Sequence, residues 1–572
     1  MRHTRRQRAH QAARSRAWLA GMALAALIVA SQGGMAAALA AAATAAPAAS
    51  VPMAPLLSGF VGHHFPVEST DPRVARYVDQ GMLLAYGFNP EEAARSFDAA
   101  LAIAPDCASC WWALAWALGP TINADMGPQA VARVDQAVAQ ARRHAGRASP
   151  LRRALIAALA LRHPGQGALD EAAYARRMQA LARAHPRQAE VALLAAEALM
   201  NLHPYDWWTL GGAPQPWTPQ IEHLLARALA LDPQHPGAHH YWIHLQESSP
   251  HPQRALASAD ALRSAVPGSG HLLHMPAHIY LRVGRIADAV SANQRAIQAD
   301  LRYLAEVDAQ GAYRVGYVAH NHHFLWAAAA MAGRQAVALE AAQAAWPAAC
   351  GPARAAAPVA SQAIVQHYAV LPLFTLLRFG QWDTLLRGTL PPDSAQPYPL
   401  AIWHYARGTA LARTGQPEAA QHELAQLEGL AADPALAALQ LKNRNPAAPL
   451  ARIAVLTLRA DLLLARAEPR AAVVLLREVT HIEDSLAYDE PHLWLAPTRH
   501  ALGAALLAAG QPDQAAQVYR EDLRHYPGNG WSLGGLAKAL AQLGQAGPAR
   551  RAEAEAIAAF NLAERRPDGS RF

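Results

Sequence analysis

Two stretches of this chain put histidines where one face of a helix would gather them. His240 and His244 stand four residues apart, as do His274 and His278; His271 precedes His274 by three, and His320 and His323 repeat that step. Residues three, four and seven apart share a face of an α-helix, and imidazoles at i and i+4 can chelate one ion from one side of it. Ligation by imidazole alone suits copper, zinc or iron, and nickel as well, but not calcium or magnesium. Glu247, Tyr241, Tyr280 and Asn321 are near enough in sequence to serve as a carboxylate ligand or as hydrogen-bond partners of the ligands. The same imidazoles equally suit a metal-free groove that receives a peptide or an anion. Each also has a plainer reading as packing against the abundant Trp and Tyr rings.

Such side chains act together only if the elements carrying them stand side by side, so the periodicity of the chain decides. With Val74 as position 1, Tyr77 falls at 4, Gly81 at 8, Leu84 at 11, Ala93 at 20, Phe97 at 24, Ala100 at 27 and Pro105 at 32. Small residues at 8 and 20 let two helices approach, and the large ones fill the space between them. The pattern resembles the 34-residue tetratricopeptide (TPR) repeat, a pair of antiparallel helices. A second register starts at Ala108, and Pro233 and Pro267 frame another from Pro236. Further registers start at Gly270, Ala319, Gln366, Ala401, Ala496 and Gly530, with Gly284, Gly333, Gly380, Gly415, Gly510 and Gly544 at the turn between helices. Residues 125–200 and 420–490 read as helical but follow the register less well, and no β-rich segment stands out.

The fold class implied is all-α, a right-handed superhelical solenoid of TPR helix-turn-helix repeats with a concave inner groove. The expected segments are a leader over 1–45, an arm over 46–73 and first repeats over 74–235 with a Trp/Gly/Pro-rich insertion near 203–218. Central histidine-rich repeats follow over 236–380, and last repeats over 381–572.

In TPR proteins, positions 2, 5 and 9 of the first helix of each repeat face the groove. His240 and His244 fall at 5 and 9, His271, His274 and His278 at 2, 5 and 9, and His320 and His323 at 2 and 5. These seven are the expected metal ligands. His367 at position 2 and His500 at position 5 also face the groove, whereas His239, His322 and His404 fall at position 4 and belong to the core. Pro276 removes a backbone hydrogen bond within its helix and should kink it, tilting His274 relative to His278. The blocks Tyr86-Gly87-Phe88-Asn89 with Glu91-Glu92, His274-Met275-Pro276 with His278-Ile279-Tyr280, and His320-Asn321-His322-His323-Phe324-Leu325 make the chain similar to bacterial exported TPR proteins. That resemblance implies a fold and carries no activity with it.

Other groups invite chemistry less strongly. Cys107 and Cys110 form a C-x-x-C where a helix begins, a place that lowers a thiol's pKa and suits redox or metal chemistry, though a small packing residue would also do there. Three cysteines cannot make a disulfide framework. His63 and His64 precede the first repeat and could cap its groove. Trp112 and Trp116 would form an aromatic wall, either packing on the next repeat or receiving an apolar peptide. Asp206, Trp207, Trp208 and Trp217 sit on the loop-rich insertion. The sequence has no H-E-x-x-H, P-loop or G-x-S-x-G motif, so an enzyme here would depend on a metal in an unusual scaffold.

The N-terminal residues read as an export signal. Six arginines between Arg2 and Arg16 precede an apolar run from Ala17 to Ala30 and an Ala-rich stretch around Ala36–Ala45. Arg5-Arg6 leaves a twin-arginine route open beside the general one. Without those six arginines the formal charge of +7 falls to +1, so no basic surface for nucleic acid is implied. The expectation is an exported, periplasmic protein with no stable membrane span after signal cleavage, whose histidine-rich groove binds a transition metal. The alternatives are a metal-free envelope scaffold holding a protein or peptide partner in the groove, and a metalloenzyme acting on a groove-bound substrate.

Overall fold

A computed structural model describes residues 54–307, 313–351, 363–391, 395–441, 445–494 and 496–572. The expected leader over 1–45 and the first residues of the arm lie outside the described residues. From Pro72 onward the chain forms one antiparallel helical hairpin after another, such as Pro72–Tyr86 with Pro90–Ile103, Ala319–Met331 with Gln335–Cys350, and Gly530–Gln542 with Ala546–Ala559. The hairpins begin and turn where the residue pattern places the signals. The Asp71 carboxylate accepts the backbone N–H of Arg73 ahead of Pro72 at the first helical position. Gly284 and Gly333 take φ of 82° and 72° at the turn between paired helices, a left-handed conformation that side chains with a Cβ adopt poorly. A Cβ on Gly81 would overlap the Phe97 ring, which is why a small residue faces a large one at this crossing.

Pro276 does more than kink its helix. The first helix of that repeat is split into Gly270–His274 and Pro276–Arg282. The proline ring has no N–H to continue the ladder, and the chain resumes with the N–H of His278 donating to Met275 O at 3.2 Å. Strand is confined, among the described residues, to the two-residue ladder Gln440–Leu441 with Asn445–Pro446 and a few isolated bridges. No described helix is long and apolar enough to cross a membrane.

The solenoid winds tightly enough for distant repeats to touch. The Gly268 N–H donates to Gly59 O at 3.1 Å, the Asn89 amide donates to the Tyr303 hydroxyl at 2.9 Å, and the Trp531 indole donates to Ala330 O at 3.2 Å. Trp112 and Trp116 do form an aromatic wall, with rings parallel and 5.9 Å apart. Phe65 of the N-terminal arm stacks on Trp112 at 5.4 Å and closes that stretch of groove. In the insertion, Trp207 is fully buried and the Trp208 indole donates to Leu245 O at 2.7 Å, so this segment packs onto the end of a histidine-bearing helix.

Candidate metal centre

Four helical pieces bring the central histidines together. Pro236–Glu247 carries His240 and His244, Gly270–His274 carries His271 and His274, Pro276–Arg282 carries His278, and Ala319–Met331 carries His320 and His323. All seven imidazoles are buried, between 0 and 8 % exposed. Six of them form two adjoining triads, His240/His244/His271 and His274/His278/His320, in each of which one ring nitrogen per residue lies within 4.8 Å of the others. The triads meet along His271 and His274, whose ring centres are 5.9 Å apart, and along His244 and His278 at 6.1 Å. His323 belongs to neither triad, although its ring centre lies 6.2 Å from that of His320. It stacks on Trp326 at 5.3 Å and faces His367 at 5.2 Å.

The outer nitrogens of four rings are committed to acceptors, and this fixes where their lone pairs point. His240 Nδ1 lies 2.6 Å from Tyr86 O, a carbonyl that can only accept, so Nδ1 carries the proton. His274 Nδ1 donates to Asn293 Oδ1 at 2.7 Å, and that amide is oriented by its own donation to Ala289 O at 2.8 Å. His244 Nδ1 donates to Glu247 Oε1 at 3.1 Å. His278 Nδ1 lies between two carboxylates, 2.6 Å from Glu247 Oε2 and 2.9 Å from Glu490 Oε2. The Nε2 atoms therefore turn inward. His240 and His271 bring theirs to 3.1 Å, His274 and His278 to 2.9 Å, and the buried Nε2 of His244 has no hydrogen-bond partner.

At His240 and His271 the contact is met by His271 donating from Nε2, since its Nδ1 has no partner. His274 and His278, each with Nδ1 committed as a donor, instead face each other with two lone pairs that repel unless a proton or a metal ion sits between them. Zinc held by imidazoles at 2.0–2.1 Å spaces its ligand nitrogens about 3.3 Å apart, close to the observed separations. Electrostatics sort the rings in the same way. Burial, and then the neighbouring imidazoles, push His240, His271 and His274 well below the ordinary histidine value, so they stay neutral with lone pairs available. Burial also opposes charge on His278, but the Glu247 and Glu490 carboxylates outweigh it and raise His278 to about 9. Burial would raise Glu247, yet His278 and His244 hold it well below the usual carboxylate range. His278 therefore carries the proton it shares with His274.

Glu490 is a partner that the helical register did not reveal. It arrives on a loop 212 residues beyond His278, carried there by the closing of the superhelix. Phe88, from the Tyr86-Gly87-Phe88-Asn89 block, lies 4.6 Å from the His240 ring and 5.4 Å from His271, and covers the first triad. Glu247 takes the expected place beside the ligands, but Tyr280 and Asn321 do not. Tyr280 donates to Asp260 at 2.8 Å and Asn321 to the buried Asp300 at 2.6 Å, each reaching a helix that precedes its own in the chain. Tyr241 packs on Phe88. Cys107 and Cys110 are joined in a disulfide, with Cys107 capping the helix they begin, so neither presents a thiolate in this form. His500 reaches no other imidazole of the centre and is bonded to Arg378, Asp522 and Asn529. His64 is exposed and bonded to Asp79, while His63 turns inward.

No protein-family model and no curated protein matches the sequence. Among solved structures, the human IFIT1 dimer with m7Gppp-AAAA is 12% identical over 86% of this chain and 90% of its own, with a TM-score of 0.30. The yeast Tom70 structure is 12% identical over 87% and 96%, with a TM-score of 0.26. The P58(IPK) TPR domain is 12% identical over 86% and 99%, with a TM-score of 0.21. Likeness at this level says nothing of what this chain binds.

Proposed function

We propose that this chain is an exported helical-repeat protein that encloses two transition-metal ions, of copper, zinc or iron, in adjoining three-histidine sites. The observation that carries the reading is the inward convergence of Nε2 atoms at 2.9 and 3.1 Å while the Nδ1 atoms of His240, His244, His274 and His278 are tied to acceptors. Carboxylate and carbonyl partners of this kind fix a ligand's tautomer and raise its basicity. A groove built to grip a peptide needs accessible side chains. Here the imidazoles lie beneath Phe88 and the Glu490 loop, which favours an occupant the size of an ion.

Elemental analysis of natively purified protein tests this. At least two equivalents of a transition metal per chain are expected, one for each triad, and a His274→Ala, His278→Ala double variant should lose the second site while keeping its helicity. Metal-free native protein that also refuses zinc and copper in titration would overturn the reading. Export rests on the arginine-rich, apolar and small-residue order of residues 1–45. N-terminal sequencing of the cell-envelope protein should find a start between Ala36 and Ser50, and an intact Met1 on cytoplasmic protein would refute it.

A further inference from the structure

A third set of donors lies outside the two triads, where the N-terminal arm meets later hairpins. His63 comes from the arm, Glu190 from the first turn of helix Ala189–Leu202, and His235 from the residue that caps helix Pro236–Glu247. One ligand atom from each falls within 4.8 Å of the other two. Glu190 Oε2 is 3.1 Å from His235 Nε2 and 3.7 Å from His63 Nε2, and the two rings are 4.8 Å apart. These spacings straddle the separation of about 3.3 Å that two ligands of one tetrahedral zinc adopt.

The second carboxylate oxygen is already engaged, since the Tyr86 hydroxyl donates to Glu190 Oε1 and leaves Oε2 facing the imidazoles. His63 Nε2 is buried and has no hydrogen-bond partner, although the ring lies against Tyr86 and His235. A buried ring nitrogen with nothing to bond is costly unless something not yet named occupies the space before it. The His235 Nδ1 contact with the Ala238 N–H is long, 3.4 Å, so it holds the ring's tautomer only weakly.

We propose that His63, Glu190 and His235 form a separate site for one divalent transition ion, zinc by its donor set, that fastens the N-terminal arm to the repeats. Two histidines and one glutamate with a fourth position open are an established donor set for zinc. The ion takes the place of the His235 Nε2 proton and fills the space before His63 Nε2. It ties residues 54–66, whose Phe65 stacks on Trp112, to helices more than a hundred residues away. The site stands independently of the two triads.

The test uses the whole chain, stripped with chelator and titrated with zinc, with metal content and limited proteolysis of the arm as readouts. His63→Ala and Glu190→Gln should each bind one equivalent fewer than the unaltered chain. Glu190→Gln keeps an oxygen for the Tyr86 hydroxyl, so its loss of metal is not a folding defect. His64→Ala, altering the exposed neighbour, should bind the full amount. At free zinc ten times its Kd, mass action should slow arm cleavage about tenfold, and in His63→Ala zinc should have no effect on cleavage. The His274→Ala, His278→Ala variant should retain both the arm equivalent and the zinc-dependent protection, which separates this site from the triads. Unchanged stoichiometry in both His63→Ala and Glu190→Gln, or arm cleavage indifferent to zinc in the unaltered chain, would overturn the proposal.

Discussion

His274 and His500 occupy the same register position in their repeats, face the same inner surface and are equally buried, yet the two surroundings give them opposite chemistry. At His500 both ring nitrogens are consumed. Nδ1 meets the Arg378 guanidinium at 2.9 Å, and Nε2 meets Asp522 at 3.2 Å and Asn529 at 3.0 Å. At His274 only Nδ1 is committed, to Asn293, and Nε2 faces another imidazole. A groove-facing histidine is thus a candidate ligand only where one nitrogen is left over and a neighbouring ring presents another.

The largest effect should come from removing rings on the two sides of this comparison. His274→Ala with His278→Ala should abolish metal at the second triad. His500→Ala should leave metal content unchanged but cost roughly 3 kcal/mol in denaturant unfolding, because it leaves Arg378 and Asp522 buried without their shared partner. Metal loss in His500→Ala would erase the distinction.

Glu490→Gln comes next. It keeps the shape beside His278 Nδ1 but removes the charge, and metal affinity should fall by about 10- to 100-fold, the usual range for the outer partner of a ligating histidine. Competition with a chromophoric chelator measures it, and an unchanged affinity would place Glu490 outside the centre.

In chelated protein the two regions should respond oppositely to pH. His278 is raised to about 9, so the stability it contributes is complete below about 6.5, its unfolded value, and is lost as pH rises through about 9, at most about 3 kcal/mol. His500 is lowered by burial, with Arg378 adding to the effect against the pull of Asp522. Its contribution is complete above about 6.5 and is lost as pH falls. His278→Gln should flatten the alkaline decline. His500→Gln should flatten only part of the acid one, because His240, His271 and His274 are lowered too.

The smallest change is expected at His323. It stacks on Trp326 outside both triads, so His323→Ala should leave the metal equivalents as they were.

What the residues disclosed and what they hid divides along the same line. The hairpins, their glycine turns and the break at Pro276 follow from local rules, because proline and left-handed glycine act within a few residues of themselves. The shared face of His240, His244, His271, His274 and His278 was legible for the same reason. Glu490 and Phe88 were not, because they reach the centre only when the superhelix closes on itself, and no local period encodes that. Tyr280 and Asn321 misled because closeness in sequence says nothing of the competing acceptors, Asp260 and Asp300, that each finds first. His500 shares the groove register, but its saturation by Arg378 and Asp522 depends on residues from three separate helices.

X-ray absorption at the metal edge, on metal-loaded protein carrying His63→Ala to remove the arm site, tests the central claim most directly. The account predicts a first shell of nitrogen or oxygen at about 2.0–2.1 Å for zinc, with the outer-shell scattering of three imidazoles per ion and no sulfur. A shell without imidazole scattering, or one containing sulfur, would contradict it.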